Sequence, residues 1–381
     1  MITVVVGMGI SGKAADALLK KKGKRTLCVD REPPCIDWEE VEQVVVSPGV
    51  PLTNEVVKEA ERRGVEVIGE VELGFRYLKN RAVGVTGTNG KTTTVRLIEH
   101  IFVNAGRKAV TVGNIGNSLC SYAMDPKEEE WLIVELSSFQ LETMKSQCLD
   151  AAIFLNLTPD HFERYGTMEQ YGKAKARIEQ CLKERAKFWV SNQIKVGLKN
   201  PIYFEGQNGQ AARFVCRDLG IAEEEIERAI KTFQKPAHRI EWVGEWEGVQ
   251  FYNDSKATNV ESVRYAVERC SSPIILLAGG LDKGAPYSPW IQQFQGKVKK
   301  VIAFGQAAKK IKTELENAIS VQCVEGLKEA ICAAVQNAKK GDTVLLSPGG
   351  SSYDQFQNYE HRGNEFKRMF EERVWIEKKS F

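Results

Sequence analysis

Two glycine-rich turns carry the most specific chemistry in this sequence. The run Gly87-Thr-Asn-Gly-Lys-Thr-Thr-Thr94 follows the apolar stretch Ala82–Val85. Its glycines let backbone N–H groups wrap phosphate oxygens, Lys91 can neutralise β/γ-phosphate charge, and Thr92 can ligate Mg²⁺. It is a variant phosphate-binding loop, because Val85 stands where the standard pattern has its first glycine. A plain turn has no need of strand, glycines, lysine, threonines and helix in that order, so ATP or GTP binding is expected. The other turn, Gly7-Met-Gly-Ile-Ser-Gly12, also follows a strand-like run and opens a helix, with Asp30 18 residues beyond Gly12. That spacing suits a pyrophosphate at a helix N-terminus and an acid on a ribose hydroxyl. NAD, FAD and UDP-sugars all satisfy it, and a tight turn without ligand is the competing reading.

Two further groups follow strand-like runs. Glu135 comes after Trp131–Val134, in Glu-Leu-Ser-Ser-Phe-Gln-Leu-Glu142, and His161 after Ala151–Leu155, in Leu157-Thr-Pro-Asp-His-Phe-Glu-Arg-Tyr165. Parallel sheets place ligands at the carboxyl ends of their strands, where a carboxylate and an imidazole can share a cation with nucleotide phosphates. Alone, Glu135 reads equally as a helix-start acid and His161 as a surface histidine. The phosphate-binding loop favours the functional reading of both. The nine cysteines form no CxxC pair, so reduced thiols filling cores are expected rather than a zinc or redox site.

These groups must be positioned by regular elements. Thr3–Val6, Val44–Val46, Ala82–Val85, Ala151–Phe154, Ile274–Leu277, Val301–Ala303 and Thr343–Leu346 read as parallel strands buried on both faces. Helical patterns at Thr93–Ala105, Met168–Leu182 and Leu327–Ala338 alternate with them, which predicts an α/β protein of βαβ units. A helix-like segment spans Glu70–Asn80, and a hairpin is expected at Glu245–Gly248. The chain divides into 1–80, 81–237 and 238–381: a Rossmann-like domain, a phosphate-loop domain and a further Rossmann-like α/β domain, with Pro236 breaking the helix before the last. Its 381 residues are 43% apolar, enough for several cores, and 53 basic against 50 acidic residues give no reason to expect a nucleic-acid or membrane-surface partner. No apolar run approaches the roughly 18 residues of a membrane span, and no cationic leader precedes the first strand, so a cytoplasmic location is expected.

Seven motifs in order, GTNGKTTT, GNIG (113–116), ELSSFQLE, LNLTPDHFERY, PAHRIE (236–241), NDSKATN (253–259) and SPGGSSYDQF with RGNEF (347–366), together resemble the Mur ligases, and within them the D-glutamate-adding branch. The resemblance implies an ATP-dependent ligase that activates a carboxylate as an acyl phosphate and passes it to an amine. The implied substrates are UDP-N-acetylmuramoyl-L-alanine and D-glutamate, the implied cofactors ATP and two Mg²⁺ ions, and a monomer is expected.

Residue by residue, the resemblance implies that Gly87, Thr88, Asn89, Gly90, Lys91, Thr92 and Thr93 bind ATP phosphates. Thr92 and Glu135 match ligands of the nucleotide-side metal, and His161 a ligand of the second. Lys175 matches a lysine that is carbamylated by CO₂ and then serves as an anionic ligand; by residue type alone it reads as an exposed helix lysine beside Lys173. His238, Arg239, Asp254 and Lys256 match nucleotide-facing positions, and Thr258, Lys283, Ser352 and Tyr359 match the D-glutamate site. Ile10, Ser11, Asp30 and Gly49 match the UDP pocket, with Asn114 toward the muramoyl group. The family's adenine-binding signature is reduced here to Asn208, in a shortened stretch after Ser191, and the loop Arg31-Glu32-Pro33 departs from the family pattern. The alternatives are another Mur-type amino-acid ligase, a nicotinamide-dependent oxidoreductase using Gly7–Gly12, and a non-catalytic nucleotide-binding relative.

Overall fold

The computed structural model describes residues 1–30, 35–206, 208–294 and 296–378, with the side chains of 208 and 373–378 outside the description. The loop Arg31-Glu32-Pro33 therefore lies outside the described residues. The chain separates into two compact units: residues 1–157 with 167–234, and residues 158–166 with 235–381. Among the described residues no helix is long and apolar enough to cross a membrane.

The first unit holds two parallel sheets. Strands β1 (Ile2–Val6), β2 (Arg25–Val29), β3 (Val41–Val46) and β4 (Glu66–Gly69) lie in the order β2-β1-β3-β4. Val4, Val5, Val44 and Val45 are fully buried, because helices cover both faces and β-branched side chains fill a pleated surface well. The second sheet orders β5 (Ala82–Thr86), β6 (Ala109–Gly113), β7 (Trp131–Glu135), β8 (Leu149–Phe154), β9 (Leu182–Ser191) and β10 (Ile202–Phe204) as β10-β9-β8-β5-β7-β6. Strand β5 thus sits between β7 and β8, so the loops leaving all three meet at one end of the sheet. In the second unit β11 (Glu241–Trp246), β12 (Val249–Asn253), β13 (Ile274–Gly279), β14 (Val298–Phe304), β15 (Val321–Cys323) and β16 (Thr343–Gly349) are ordered β11-β12-β16-β13-β14-β15. Only the β11–β12 pair is antiparallel. Its connection is the expected hairpin: Glu247 and Gly248 both take positive φ, as a two-residue turn matched to strand twist requires.

The α/β architecture and the seven strands agree with the sequence reading, and two helices end a full turn or more before their expected limits. The pattern read as Met168–Leu182 is an α-helix only to Ala176, followed by a tighter turn at Arg177–Cys181. There the Cys181 carbonyl accepts the Cys148 N–H, so the ladder between β8 and β9 captures the chain. Likewise Glu70–Asn80 is helical to Arg76, since the Asn80 amide leaves to donate to the Lys127 and Glu130 carbonyls.

The Gly7–Gly12 turn shows why its glycines are needed. A Cβ on Gly12 would lie 1.9 Å from the Gly7 carbonyl oxygen, whereas one on Gly9 would meet nothing within 4 Å. We expect Gly12→Ala to cost about 1–3 kcal/mol of stability through forced displacement of the turn, and Gly9→Ala to cost far less. Thermal unfolding of the two variants checks this; equal midpoints would refute the packing account.

Candidate active site

In the first unit, the phosphate-binding loop is held open from below by its neighbours. Gly87 and Gly90 take φ of +148° and +85°, and Gly90 caps the helix Lys91–Asn104, which holds Thr92 and Thr93 in its first turn. A Cβ at Gly87 would press on Leu155 at 3.0 Å and on the Asn156 backbone. Asn156 then latches the loop: its carboxamide Oδ1 accepts the Asn89 N–H at 2.8 Å, its Nδ2 donates to the Asn89 carbonyl, and its own carbonyl accepts the Thr88 N–H. Sequence reasoning gave Asn156 no role, although it lies inside the LNLTPDHFERY motif. It lies two residues past β8, and only the pairing of β8 with β5 brings it to the loop.

Glu135, at the end of β7, is buried and faces this loop. Its Oε2 accepts the Thr92 hydroxyl at 2.8 Å and its Oε1 accepts the Asn114 amide at 2.9 Å. The Asn114 N–H also donates to the Glu135 carbonyl. Asn114, read as a muramoyl contact, is thus bonded to the acid read as a metal ligand. A buried hydroxyl in the first turn of a phosphate-loop helix and a buried carboxylate at the end of the neighbouring strand form a ligand pair that Mg²⁺ can share with nucleotide phosphates. The first unit therefore fits the nucleotide-side metal, although no group of three His, Cys, Asp or Glu with metal-site geometry occurs among the described residues.

Lys175 is not a surface lysine. It is 1% exposed, its ammonium donates to the Gly87 carbonyl at 2.9 Å, and it lies 4.7 Å from the Tyr171 ring centre. Lys173, two residues earlier, points out and pairs with Glu169. The amphipathic register of Met168–Ala176 makes the distinction, since Tyr171, Ala174 and Lys175 share the buried face. Lys91 reaches the same carbonyl at 2.8 Å and that of Thr88 at 2.9 Å.

Around Gly7–Gly12, the Met8 N–H donates to the Asp30 carboxylate at 3.1 Å, so Asp30 is held at the mouth of the turn. Ile10 is 86% exposed there, and Ser11 follows it on the first helical turn. Gly49 lies in the adjoining turn closed by the Val50 N–H on the Ser47 carbonyl. The Ser47 hydroxyl donates to the Gly7 carbonyl at 2.6 Å and joins the two turns, a contact the sequence did not single out. Asn208 opens the helix Asn208–Asp218, and its side chain lies outside the described residues.

In the second unit, His161 takes a left-handed conformation, φ +54°, and its Nδ1 lies 3.2 Å from Glu163. Burial lowers the imidazole pKa, against the attraction of Asp160. The buried Asp160 accepts from Lys283 at 3.3 Å and from the Asn259 amide at 3.1 Å. Burial raises its pKa, but Lys283 and His161 outweigh that and hold the carboxylate below its usual range. Lys283 is thereby a lysine already engaged with a carboxylate.

The NDSKATN loop leaves β12. Lys256 donates to the Tyr359 hydroxyl at 2.7 Å and lies over its ring, while Thr258 is half-buried farther along. His238 is buried, with Nδ1 2.9 Å from the Asn253 amide. The Arg239 Nε is buried with no hydrogen-bond partner among the described residues. Ser352 is buried beyond β16, and its carbonyl caps the turn at Gln355 and Phe356. Arg362, which sequence reasoning passed over, is fully buried and donates to the Ser255 hydroxyl and carbonyl and to the Gly350 carbonyl. It ties the Lys256 loop to the Ser352 loop.

Asp254 accepts the Ser347 hydroxyl at 2.8 Å and the Ile240 N–H at 3.2 Å. Burial nevertheless pushes its pKa up to about 7, against the pull of Ser347 and Arg239. With the folded value above the unfolded one, its contribution to stability is full below about pH 4 and is lost as pH rises through 7. We expect Asp254→Asn to unfold at a higher temperature relative to the parent at pH 7.5 than at pH 5. A pH-independent difference would refute the buried-acid account.

Comparison with known proteins agrees with these motifs. Residues 85–241 match the family model described as the Mur ligase middle domain, and residues 238–350 that described as the Mur ligase glutamate ligase domain. The chain is 40% identical to the UDP-N-acetylmuramoylalanine–D-glutamate ligase of Protochlamydia amoebophila, covering 96% of this chain and 97% of that one. It is 34% identical to the protein of the same name from Koribacter versatilis, over 99% and 98% of the two chains. Its fold is similar to that of the UDP-N-acetylmuramate-alanine ligase of Thermotoga maritima, with a TM-score of 0.63 at 15% identity over 98% and 99%. The MurF ligase of Thermotoga maritima, solved in complex with ADP, gives a TM-score of 0.63 at 17% identity over 97% and 95%. From its ordered motifs, its two matching domains and its near-full-length relatives, the chain belongs to the Mur ligase family.

Proposed function

We propose that this protein uses ATP to join D-glutamate to UDP-N-acetylmuramoyl-L-alanine in peptidoglycan synthesis. Two relatives bearing the corresponding name, similar over almost their whole lengths, support the choice of substrates. The observation that carries the chemical reading is the Thr92–Glu135–Asn114 chain beside a lysine-bearing phosphate loop. The division into 1–80 for the UDP substrate, 81–237 for ATP and 238–381 for the amino acid belongs to the same proposal, as do a monomeric state and a cytoplasmic location.

A carboxylate is a poor electrophile, so amide formation needs prior activation. In the first step a terminal carboxylate oxygen of the alanyl group bonds to the γ-phosphorus, and the bond to the β–γ bridging oxygen breaks, releasing ADP. In the second, the D-glutamate amine attacks the acyl carbon, inorganic phosphate leaves, and the nitrogen loses its proton. The first step joins two anions, so its barrier is chiefly electrostatic. Lys91, the loop N–H groups and the N-terminus of the Lys91–Asn104 helix offset that repulsion. Thr92 and Glu135 would hold the nucleotide-side Mg²⁺, with His161 and a carbamylated Lys175 holding the second; when bound, these ions neutralise phosphate charge. Asp30 with Ile10, Ser11 and Gly49 would receive UDP. His238, Arg239, Asp254, Lys256 and Asn208 would face the nucleotide, while Thr258, Lys283, Ser352 and Tyr359 would take D-glutamate.

The direct test is phosphate release from ATP, Mg²⁺ and UDP-N-acetylmuramoyl-L-alanine, measured with each candidate amino acid. D-glutamate alone should give sustained release; equal rates with L-alanine would defeat the assignment. Lys91→Ala should abolish ATP turnover while calorimetry finds the affinity for the UDP substrate nearly unchanged. Loss of both would mean that the two sites are not separate. Losing the Lys283 contact to a substrate carboxylate should cost about 1.5–3 kcal/mol, or roughly ten- to a hundredfold in affinity. Lys283→Ala should therefore raise the KM for D-glutamate far more than that for ATP, and a uniform rise would contradict its role.

A further inference from the structure

The helix Glu70–Arg76 carries two carboxylates that the proposed mechanism does not use, and both are buried. Glu72 is fully satisfied: it accepts the Lys145 and Ser146 N–H groups, the Ser146 hydroxyl and the Arg76 guanidinium. Glu70 is different. Its Oε1 accepts the Cys120 N–H at 2.6 Å, and its Oε2 is buried with no hydrogen-bond partner among the described residues. Burial raises its pKa against the pull of the Cys120 N–H. An acid kept in so costly a place marks a position under constraint.

What it holds is the segment that follows the GNIG turn. Gly74, one turn further along the same helix, lets Leu119 approach so closely that a Cβ there would lie 2.9 Å from the Leu119 side chain. Ser118 caps the short helix Leu119–Ala123 that contains Cys120. The turn before it is closed by the Gly113 N–H on the Asn117 carbonyl, and a Cβ on Gly113 would come within 2.5 Å of the Glu135 carbonyl oxygen. Asn114, pinned in that turn, donates to the Glu135 carboxylate, which in turn accepts the Thr92 hydroxyl. The links form one unbroken path: Glu70, Cys120, the 113–117 turn, Asn114, Glu135, Thr92.

We propose that Glu70 is a positioning residue for the nucleotide-side metal pair, acting through the 113–117 turn to set the orientation of Asn114 and hence of the Glu135 carboxylate. Because the Glu70 helix directly follows β4 of the Gly7–Gly12 sheet, the same path links that sheet to the phosphate-binding loop. The inference rests on the reading of Thr92 and Glu135 as nucleotide-side ligands.

The test is ATP binding by titration calorimetry on the full chain, with Mg²⁺ and with EDTA, which requires neither turnover nor an amino acid. Glu70→Ala and Asn114→Ala should each weaken Mg²⁺-dependent binding about tenfold, and the double variant no more than about twofold beyond either single one, as expected for residues on one path. Binding in EDTA should change little. Glu70→Gln keeps an acceptor for the Cys120 N–H and should recover most of the affinity; it also serves if the alanine variant does not fold. Parental affinity in Glu70→Ala, or effects of the two alanine variants that simply multiply, would overturn the link. A parent protein that binds no ATP with Mg²⁺ would instead defeat the nucleotide reading on which the inference stands.

Discussion

The Gly87 carbonyl oxygen accepts hydrogen bonds from two lysines, and the chemistry proposed for the first unit depends on that convergence. Lys91 reaches it from the helix that the loop opens and Lys175 from a helix far along the chain. The two ammonium groups lie no more than about 6 Å apart, where unit charges repel by about 3 kcal/mol at an effective dielectric constant near 20. Near them the Thr88 carbonyl and the Tyr171 ring supply partial negative charge. Such a site favours the arrival of anions. Nucleotide phosphates would relieve the charge on Lys91, and carbamylation would convert Lys175 itself into an anion. Both halves of the proposed chemistry thus follow from one crowded carbonyl, held in place by Asn156 and by the close approach that Gly87 permits.

Within each unit, buried polar groups join loops and strand ends. Glu135 takes Thr92 on one oxygen and Asn114 on the other, so neither oxygen is free to rotate away. In the second unit, Arg362 serves the same end with a cation: a buried guanidinium whose pKa burial pushes down to about 9 spans Ser255 and Gly350. Buried networks of this kind are expensive unless satisfied, and they rigidify the loops they join. The rigidity falls on the helix start and strand end that carry Thr92 and Glu135, and on the loops that carry Lys256 and Ser352.

Much of this was legible in the sequence. The parallel strands announced themselves as unbroken β-branched runs, and the order strand, glycines, lysine, threonine located the phosphate loop before any geometry was known. The Glu247–Gly248 hairpin followed from turn chemistry alone. Contacts that depend on strand order were not legible. Nothing in the linear pattern says that β8 lies beside β5, so Asn156 gave no sign of latching Asn89. Lys175 next to Lys173 looks solvated until the helix register is fixed. Arg362 and Glu70 were invisible for a shared reason: each is a charged residue in a helix, where exposure is the ordinary outcome, and only tertiary packing buries them. The helix read through Leu182 overran because apolar spacing cannot distinguish a last helical turn from the first residues of a captured strand.

Carbamylation would resolve the charge gathered at Gly87 by making Lys175 an anion. Carbon-13 NMR of the protein equilibrated with ¹³C-bicarbonate, Mg²⁺ and ATP reads out that conversion. A carbamate carbon resonance should appear that is absent from Lys175→Ala and that strengthens when Mg²⁺ is added. An active, Mg²⁺-saturated protein with no such resonance, or one whose resonance survives Lys175→Ala, would contradict it.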